Sequence, residues 1–319
     1  MSERKKIWSN ILLFALPLLL GLVGLFIANG NERFRYHFPK YNCSGHSGWI
    51  YDRLNLIDRK VDIAFLGTSR TMDAINDHVL EQRIKDSGVD MNVLNMGYCR
   101  FGRNMHHLLA KRMLERWDLK HVILEINLKE NWDGHEDFAY LASNEELFQP
   151  VMIFNDNYIE DIYKASKARF DDVRSQLFRV DMLPPVHDDW LFGHFTDTTH
   201  VASEVLDRLA EEGKHIQKTE GFSRWFRYQY SFRYIDKTIK MLEEKGCQVH
   251  FLYLPQYGLS RVPEEYDFFK KRGTVLIPPD SIYNNKYYWK DGSHMNEYGA
   301  TAMSQWLKHE LVAIIQPPH

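Results

Sequence analysis

The hydrophobic pattern of this chain changes character twice. Ile11 to Ala28 is an unbroken apolar run containing Pro17 and two glycines, and Arg4, Lys5 and Lys6 stand before it. Such a run is about long enough to cross a bilayer core, and Pro and Gly are tolerated in membrane helices. The basic flank predicts a cytoplasmic tip, with residues after 30 outside the cytoplasm. A cleaved signal peptide is the alternative, but Phe26-Ile27-Ala28 carries a bulky residue where a small one is needed. Residues 1–30 therefore read as a cytoplasmic tip and an uncleaved anchor. Residues 31–60 read as a linker ending in a short amphipathic stretch.

From residue 61 the pattern alternates. Short apolar runs at 61–66, 92–96, 121–126, 249–254 and 274–277 read as strands. Helical spacing at 71–85, 103–117, 225–245 and 297–314 reads as helices between and after them. Strands that alternate with helices predict an α/β three-layer sandwich, its five-stranded parallel sheet covered on both faces. Residues 133–222 break the alternation. They are rich in charge, His and aromatics, and are expected to be a helical insertion over one edge of a domain spanning 61–319.

Composition narrows this picture. The chain has 319 residues, of which 44% are hydrophobic, enough for one α/β domain plus an insertion. A net charge of -3 gives no reason to expect a nucleic-acid partner. Cys43, Cys99 and Cys247 show no Cys-x-x-Cys spacing, and their odd number leaves at least one thiol unpaired in a monomer.

The chemistry collects where strands end. Ile63-Ala64-Phe65-Leu66-Gly67-Thr68-Ser69-Arg70 puts a serine just past a buried strand and at the start of a helix. Asp291-Gly292-Ser293-His294-Met295-Asn296-Glu297-Tyr298-Gly299 puts an aspartate and a histidine three residues apart before the last helix. Ser69 as nucleophile, His294 as general base and Asp291 to orient the imidazole are what acyl transfer requires. The bland alternatives are an N-cap serine at 69, an aspartate cap at 291 and a surface histidine at 294. Segments 67–70, 95–102 and 127–132 all fall at carboxyl ends of expected strands, where catalytic loops of such sheets sit.

Other polar and aromatic groups receive structural readings. His187-Asp188-Asp189 with His194, Asp197 and His200 has no justified metal spacing and reads as a solvated polar loop. His106 and His107 read as surface residues of a helix. Trp132, Trp190, Tyr287, Tyr288 and Trp289 could floor a glycan groove, with core packing the default for each.

The Gly67-Thr68-Ser69 and Asp291-x-x-His294 motifs, with Asn296 and Gly299 leading into the last helix, resemble the SGNH (GDSL-like) hydrolase superfamily. Among its members the chain looks most like the membrane-anchored proteins that accompany polysaccharide and teichoic-acid O-acylation. The resemblance covers most of residues 60–132 and 245–312. It implies a flavodoxin-like fold, no cofactor, no metal, and an oxyanion hole built from the amides of Ser69 and Gly97 and the side chain of Asn127, with Asn131 the second choice. Thr68 stands where the family has aspartate, and Glu125-Ile126-Asn127 replaces its usual Gly-x-Asn-Asp. Three functions follow as expectations. The first is an extracytoplasmic serine esterase or O-acyltransferase acting on a cell-envelope glycan or acyl ester, beside a polytopic membrane acyltransferase. The second is a non-catalytic glycan-binding or assembly subunit. The third is a soluble lipase or thioesterase with a cleaved signal.

Overall fold

The computed structural model describes residues 3–28, 30–38, 46–56, 58–130, 133–178, 193–194, 196–214 and 221–316. Asn131, Trp132, Trp190 and the His187-Asp188-Asp189 segment lie outside them. The chain forms two compact units, one of residues 1–48 and 136–186 and one of residues 49–135 and 187–319.

The second unit is built on five parallel strands: β1 Ile63–Leu66, β2 Val93–Asn95, β3 His121–Ile126, β4 Gln248–Tyr253 and β5 Thr274–Leu276. Their order is β2-β1-β3-β4-β5. Every residue of β1, β2 and β3 is buried, as a sheet covered on both faces requires. One face carries Ile63, Phe65, Ile123 and Leu252 into a core shared with Leu80, Ile84, Met303, Leu307 and Leu311. These last residues lie on helices Asp77–Lys85 and Glu297–Ile315. The other face is covered by helices Arg103–Arg116 and Gly221–Glu244, which pack on each other and on β1 and β4 respectively. Because β2 and β3 flank β1, the strand order reverses beside β1, and a crevice opens at such a point.

Several expectations change here. The single helix expected over 71–85 is two, Ser69–Ala74 and Asp77–Lys85. The break has a local cause: Asn76 caps the second helix by accepting the Val79 amide at 3.0 Å. Residues 31–60, read as a linker, contain helices Glu32–His37 and His46–Leu56, with Phe34, Tyr36, Trp49, Ile50 and Leu54 buried. The insertion is divided as well. Residues 136–186 join the first unit, while helix Ser203–Gly213 sends Leu206 into the core of the sheet unit. His106 and His107 are buried, because the helix that carries them lies between the sheet and Gly221–Glu244. Burial holds the His106 imidazole well below its ordinary pKa, with Arg103 pushing the same way.

In the first unit, helix Glu3–Ile27 is long and apolar enough to cross a membrane. It is accompanied by helix Tyr158–Phe178, whose Ala165, Ala168 and Asp172 are buried.

Candidate active site

The site begins with β1. At its end Gly67 sits where a Cβ would lie 1.9 Å from Thr71 Oγ1 and 2.5 Å from Glu125 Oε2, so only glycine fits. Thr68 then caps helix Ser69–Ala74 by accepting the Arg70 amide at 3.1 Å. That leaves Ser69 as the first helical residue rather than its cap. Its hydroxyl is available for another partner, and among the described residues nothing accepts its N–H.

Ser69 Oγ lies 2.8 Å from His294 Nε2. On the far side of the ring, His294 Nδ1 lies 2.9 Å from Asp291 Oδ2 and 3.0 Å from Oδ1. The structure thus brings together three side chains from the two ends of the sheet unit in the order hydroxyl, imidazole, carboxylate. The loop that presents the last two is tied at several points. Lys290 N–H donates to the His294 carbonyl, and Asn296 N–H to that of Tyr288. Trp289 and Met295 form a bridge between the two arms. Asp291 Oδ1 also accepts the Ser293 and His294 amides at 2.7 and 2.9 Å. Partial burial pushes the Asp291 carboxyl up, but these hydrogen bonds and His294 outweigh it and bring the pKa down to about 2. Asp291 is therefore ionised at neutral pH.

A second contact joins this loop to the Ser69 helix. Lys290 Nζ lies 2.9 Å from Asp73 Oδ2. Asp73 stands one helical turn beyond Ser69 and is almost fully buried, with Oδ1 unpartnered among the described residues. Desolvation raises its pKa to about 6, against the opposing pull of Lys290, His294 and His194.

The three expected oxyanion donors fare differently. The Ser69 amide is unspent. The Gly97 N–H, by contrast, donates to Asn95 Oδ1 at 2.9 Å, so within this loop it is already engaged. Nor does Gly97 have a positive φ. Its glycine is required by close approach, since a Cβ would lie 2.6 Å from the Met72 backbone nitrogen. Asn127, at the end of β3, gives its side-chain oxygen to the Arg70 guanidinium, which also donates to the Leu254 carbonyl at 3.1 Å. This orientation leaves the Asn127 NH2 as a donor. Asn131 cannot be located against this frame, being outside the described residues.

Sequence reasoning missed the groups that hold the site. Glu125, on β3, is almost wholly buried and accepts the Thr68 amide at 2.6 Å, the Thr68 hydroxyl at 2.9 Å, the Thr71 hydroxyl at 2.6 Å and the Thr71 amide at 3.3 Å. Asn95 Nδ2 donates to the Thr71 and Ile75 carbonyls at 2.9 and 2.8 Å, closing the other end of the short helix. Arg103 makes a buried bidentate pair with Glu130 at 2.9 and 2.8 Å and donates to the Glu125 carbonyl. It thereby fixes the loop in which Asn127 stands. The readable signal was a lone carboxylate in the middle of an apolar strand, because a buried charge must be paired or hydrogen-bonded.

The other candidates resolve into structural roles. His194 Nε2 pairs with Glu297 at 2.8 Å rather than lying in a solvated loop. Asp197 accepts the Thr199 amide, and His200 stacks on Tyr287. Among the described residues no cluster of three or more metal-ligating side chains occurs. Trp289 is core, its indole donating to the Tyr283 carbonyl, whereas Tyr287 stays exposed beside Tyr298. Cys99, two residues past Gly97, is disulfide-bonded, and Cys247 is a buried free thiol. Comparison with protein-family models and with curated proteins returns no match.

Proposed function

We propose that this chain is a membrane-anchored serine esterase or O-acyltransferase of the SGNH type, working through an acyl-serine intermediate. The single observation that carries this reading is the 2.8 Å contact from Ser69 Oγ to His294 Nε2, continued at 2.9 Å from His294 Nδ1 to Asp291. His294 takes the Ser69 proton as Oγ attacks an ester carbonyl, and Asp291 keeps the ring oriented and stabilises its charged form. The imidazolium then protonates the leaving alcohol. Water or a sugar hydroxyl, deprotonated by the same ring, releases the acyl group. The Ser69 amide and the Asn127 NH2 are the donors for the tetrahedral oxygen, with the Arg70 charge beside them. The order β2-β1-β3-β4-β5 supports a flavodoxin-like reading, in which a ligand crevice is expected beside β1.

The disulfide at Cys99 supports an oxidising, extracytoplasmic compartment for the sheet unit. The N-terminal basic residues before the apolar helix support the same side. A cell-envelope glycan is the acyl acceptor or ester substrate we infer, served by a polytopic membrane acyltransferase. The engaged Gly97 N–H favours one alternative, a glycan-binding or assembly subunit that retains the residues without turnover. Hydrolysis of a small activated acetyl ester by the detergent-solubilised full chain separates the two. Turnover that disappears in Ser69→Ala supports the enzyme. Turnover that survives it, or none in the wild type together with unchanged envelope acylation by Ser69→Ala in cells, supports the subunit.

A further inference from the structure

Helix Tyr158–Phe178 presents an unusual outer face. Ile159, Tyr163, Lys167, Phe170, Arg174, Leu177 and Phe178 recur at helical spacing and are all exposed. Phe170 is 55% exposed and Leu177 73%. A soluble helix turns such residues inward; here the inward face is already filled by Asp161, Ala165, Ala168, Arg169 and Asp172. Aromatic and aliphatic side chains mixed with cations form the pattern of helices that lie in a membrane interface.

The position of this helix gives that pattern its partner. The Arg169 guanidinium sits 4.6 Å from the ring centre of Phe26, a residue inside the apolar helix Glu3–Ile27, and Phe148 meets the same ring edge-on at 5.5 Å. A group stacked on Phe26 stands beside the span rather than beyond it. Asp172 accepts the Asn31 amide at 2.7 Å. Asn31 stands four residues past Ile27, at most about 14 Å from it, so Asp172 stays close to the end of the span. The Arg169–Phe26 contact therefore holds the middle of the helix near the end of the apolar span, where hydrocarbon gives way to headgroups. Its charge suits that level. Lys164 is paired with Glu160 and Arg174 with Asp171 at 3.4 Å; Lys167 and the still exposed head of Arg174 lie on the apolar stripe, where long basic side chains extend toward headgroup phosphates.

We propose that the outer face of helix Tyr158–Phe178 lies on the membrane as an interfacial element, its apolar residues entering the headgroup boundary and Lys167 and Arg174 contacting anionic lipid. The inference rests on residues 3–27 spanning the bilayer and is independent of the Ser69 chemistry. Bound this way, the helix restricts the orientation of its unit at the surface, which a single span would leave free to rotate.

The test uses the full chain in vesicles of phosphatidylcholine with and without phosphatidylglycerol, carrying a benzophenone amino acid at position 163, 170 or 177. Flotation and resistance to alkaline extraction report the anchor; mass spectrometry of irradiated samples reports the cross-linked species. Lipid adducts are expected at all three positions, with the yield higher when phosphatidylglycerol is present and reduced roughly fivefold or more by Lys167→Glu with Arg174→Glu. Flotation with no lipid adduct at any position overturns the inference and leaves the anchor standing. Failure to float overturns both. Cross-links only to another protein in native membranes, with none to lipid, also overturn it and make the face a protein-docking surface.

Discussion

Glu125 Oε2 lies 2.6 Å from the Thr71 hydroxyl, beneath the turn that holds Ser69. The same carboxylate takes the amide and hydroxyl of Thr68. One buried side chain therefore fixes both flanks of Ser69. Glu125→Gln keeps the volume but turns an NH2 toward groups that themselves donate. Each buried donor left unpaired costs about 1–3 kcal/mol. The variant is expected to lower the urea midpoint and to slow Ser69 acylation, and Glu125→Ala to do more. Unchanged acylation in a destabilised Glu125→Gln protein would assign Glu125 to stability alone.

Gly97→Ala tests the close approach of the loop after β2. A methyl group would press on the Met72 backbone, which cannot move without shifting the Ser69 helix. Loss of stability by about 1–3 kcal/mol is expected, as for other overpacked sites, together with weaker turnover. Chemical denaturation and ester hydrolysis measured on the same preparation check it. A fully stable and active alanine variant would contradict the geometry.

Asn127→Ala removes the proposed oxyanion donor without touching Ser69, His294 or Asp291. Loss of one preorganised oxyanion donor costs about a hundredfold or more in turnover, so kcat should fall by that order while KM changes little. Because Asn127 also accepts from Arg70, Arg70→Lys should weaken turnover in the same direction. An Asn127→Ala enzyme with normal kcat would leave the Ser69 amide, not the carboxamide, as the working donor.

The Asp73–Lys290 pair predicts a pH effect on stability. Burial raises Asp73 to about 6 in the folded chain, above the ordinary carboxylate value of 3.8. Between those values the folded state holds a proton that the unfolded state has lost. The Asp73 contribution to stability therefore falls as pH rises through about 4 to 6. Asp161, raised to about 6 by burial, acts in the same sense. His106, His121 and His250, whose pKa values burial lowers, act in the opposite sense over the same range, so the prediction is a difference: the urea midpoint of Asp73→Asn should gain on that of the wild type as pH rises from about 4 to 6. A slope identical to that of the wild type would refute the assignment.

Much of this architecture is legible in the sequence. The five strands are short buried apolar runs, and each stands within two residues of its expected bounds, because a strand covered on both faces leaves an unmistakable hydrophobic segment. The positions of Ser69, Asp291 and His294 at strand and helix ends follow from the same reading. What stayed hidden depends on tertiary contact. Asn76 interrupts a helix inside an otherwise continuous amphipathic pattern. His106 and His107 look like surface residues until both faces of their helix are covered. Trp49, Ile50 and Leu54 fold a stretch whose polar composition reads as a linker. The engagement of Gly97 by Asn95 depends on one side-chain rotamer, which no spacing in the chain encodes.

The central claim is that Ser69 is a nucleophile activated by His294, and covalent labelling tests it most directly. The full chain, treated with a fluorophosphonate and digested, is expected to carry a single phosphonyl group on the peptide containing Ser69. Labelling should vanish in Ser69→Ala and slow on the order of a thousandfold or more in His294→Ala. Equal labelling of the wild type and Ser69→Ala, or no labelling of the wild type, would contradict the claim.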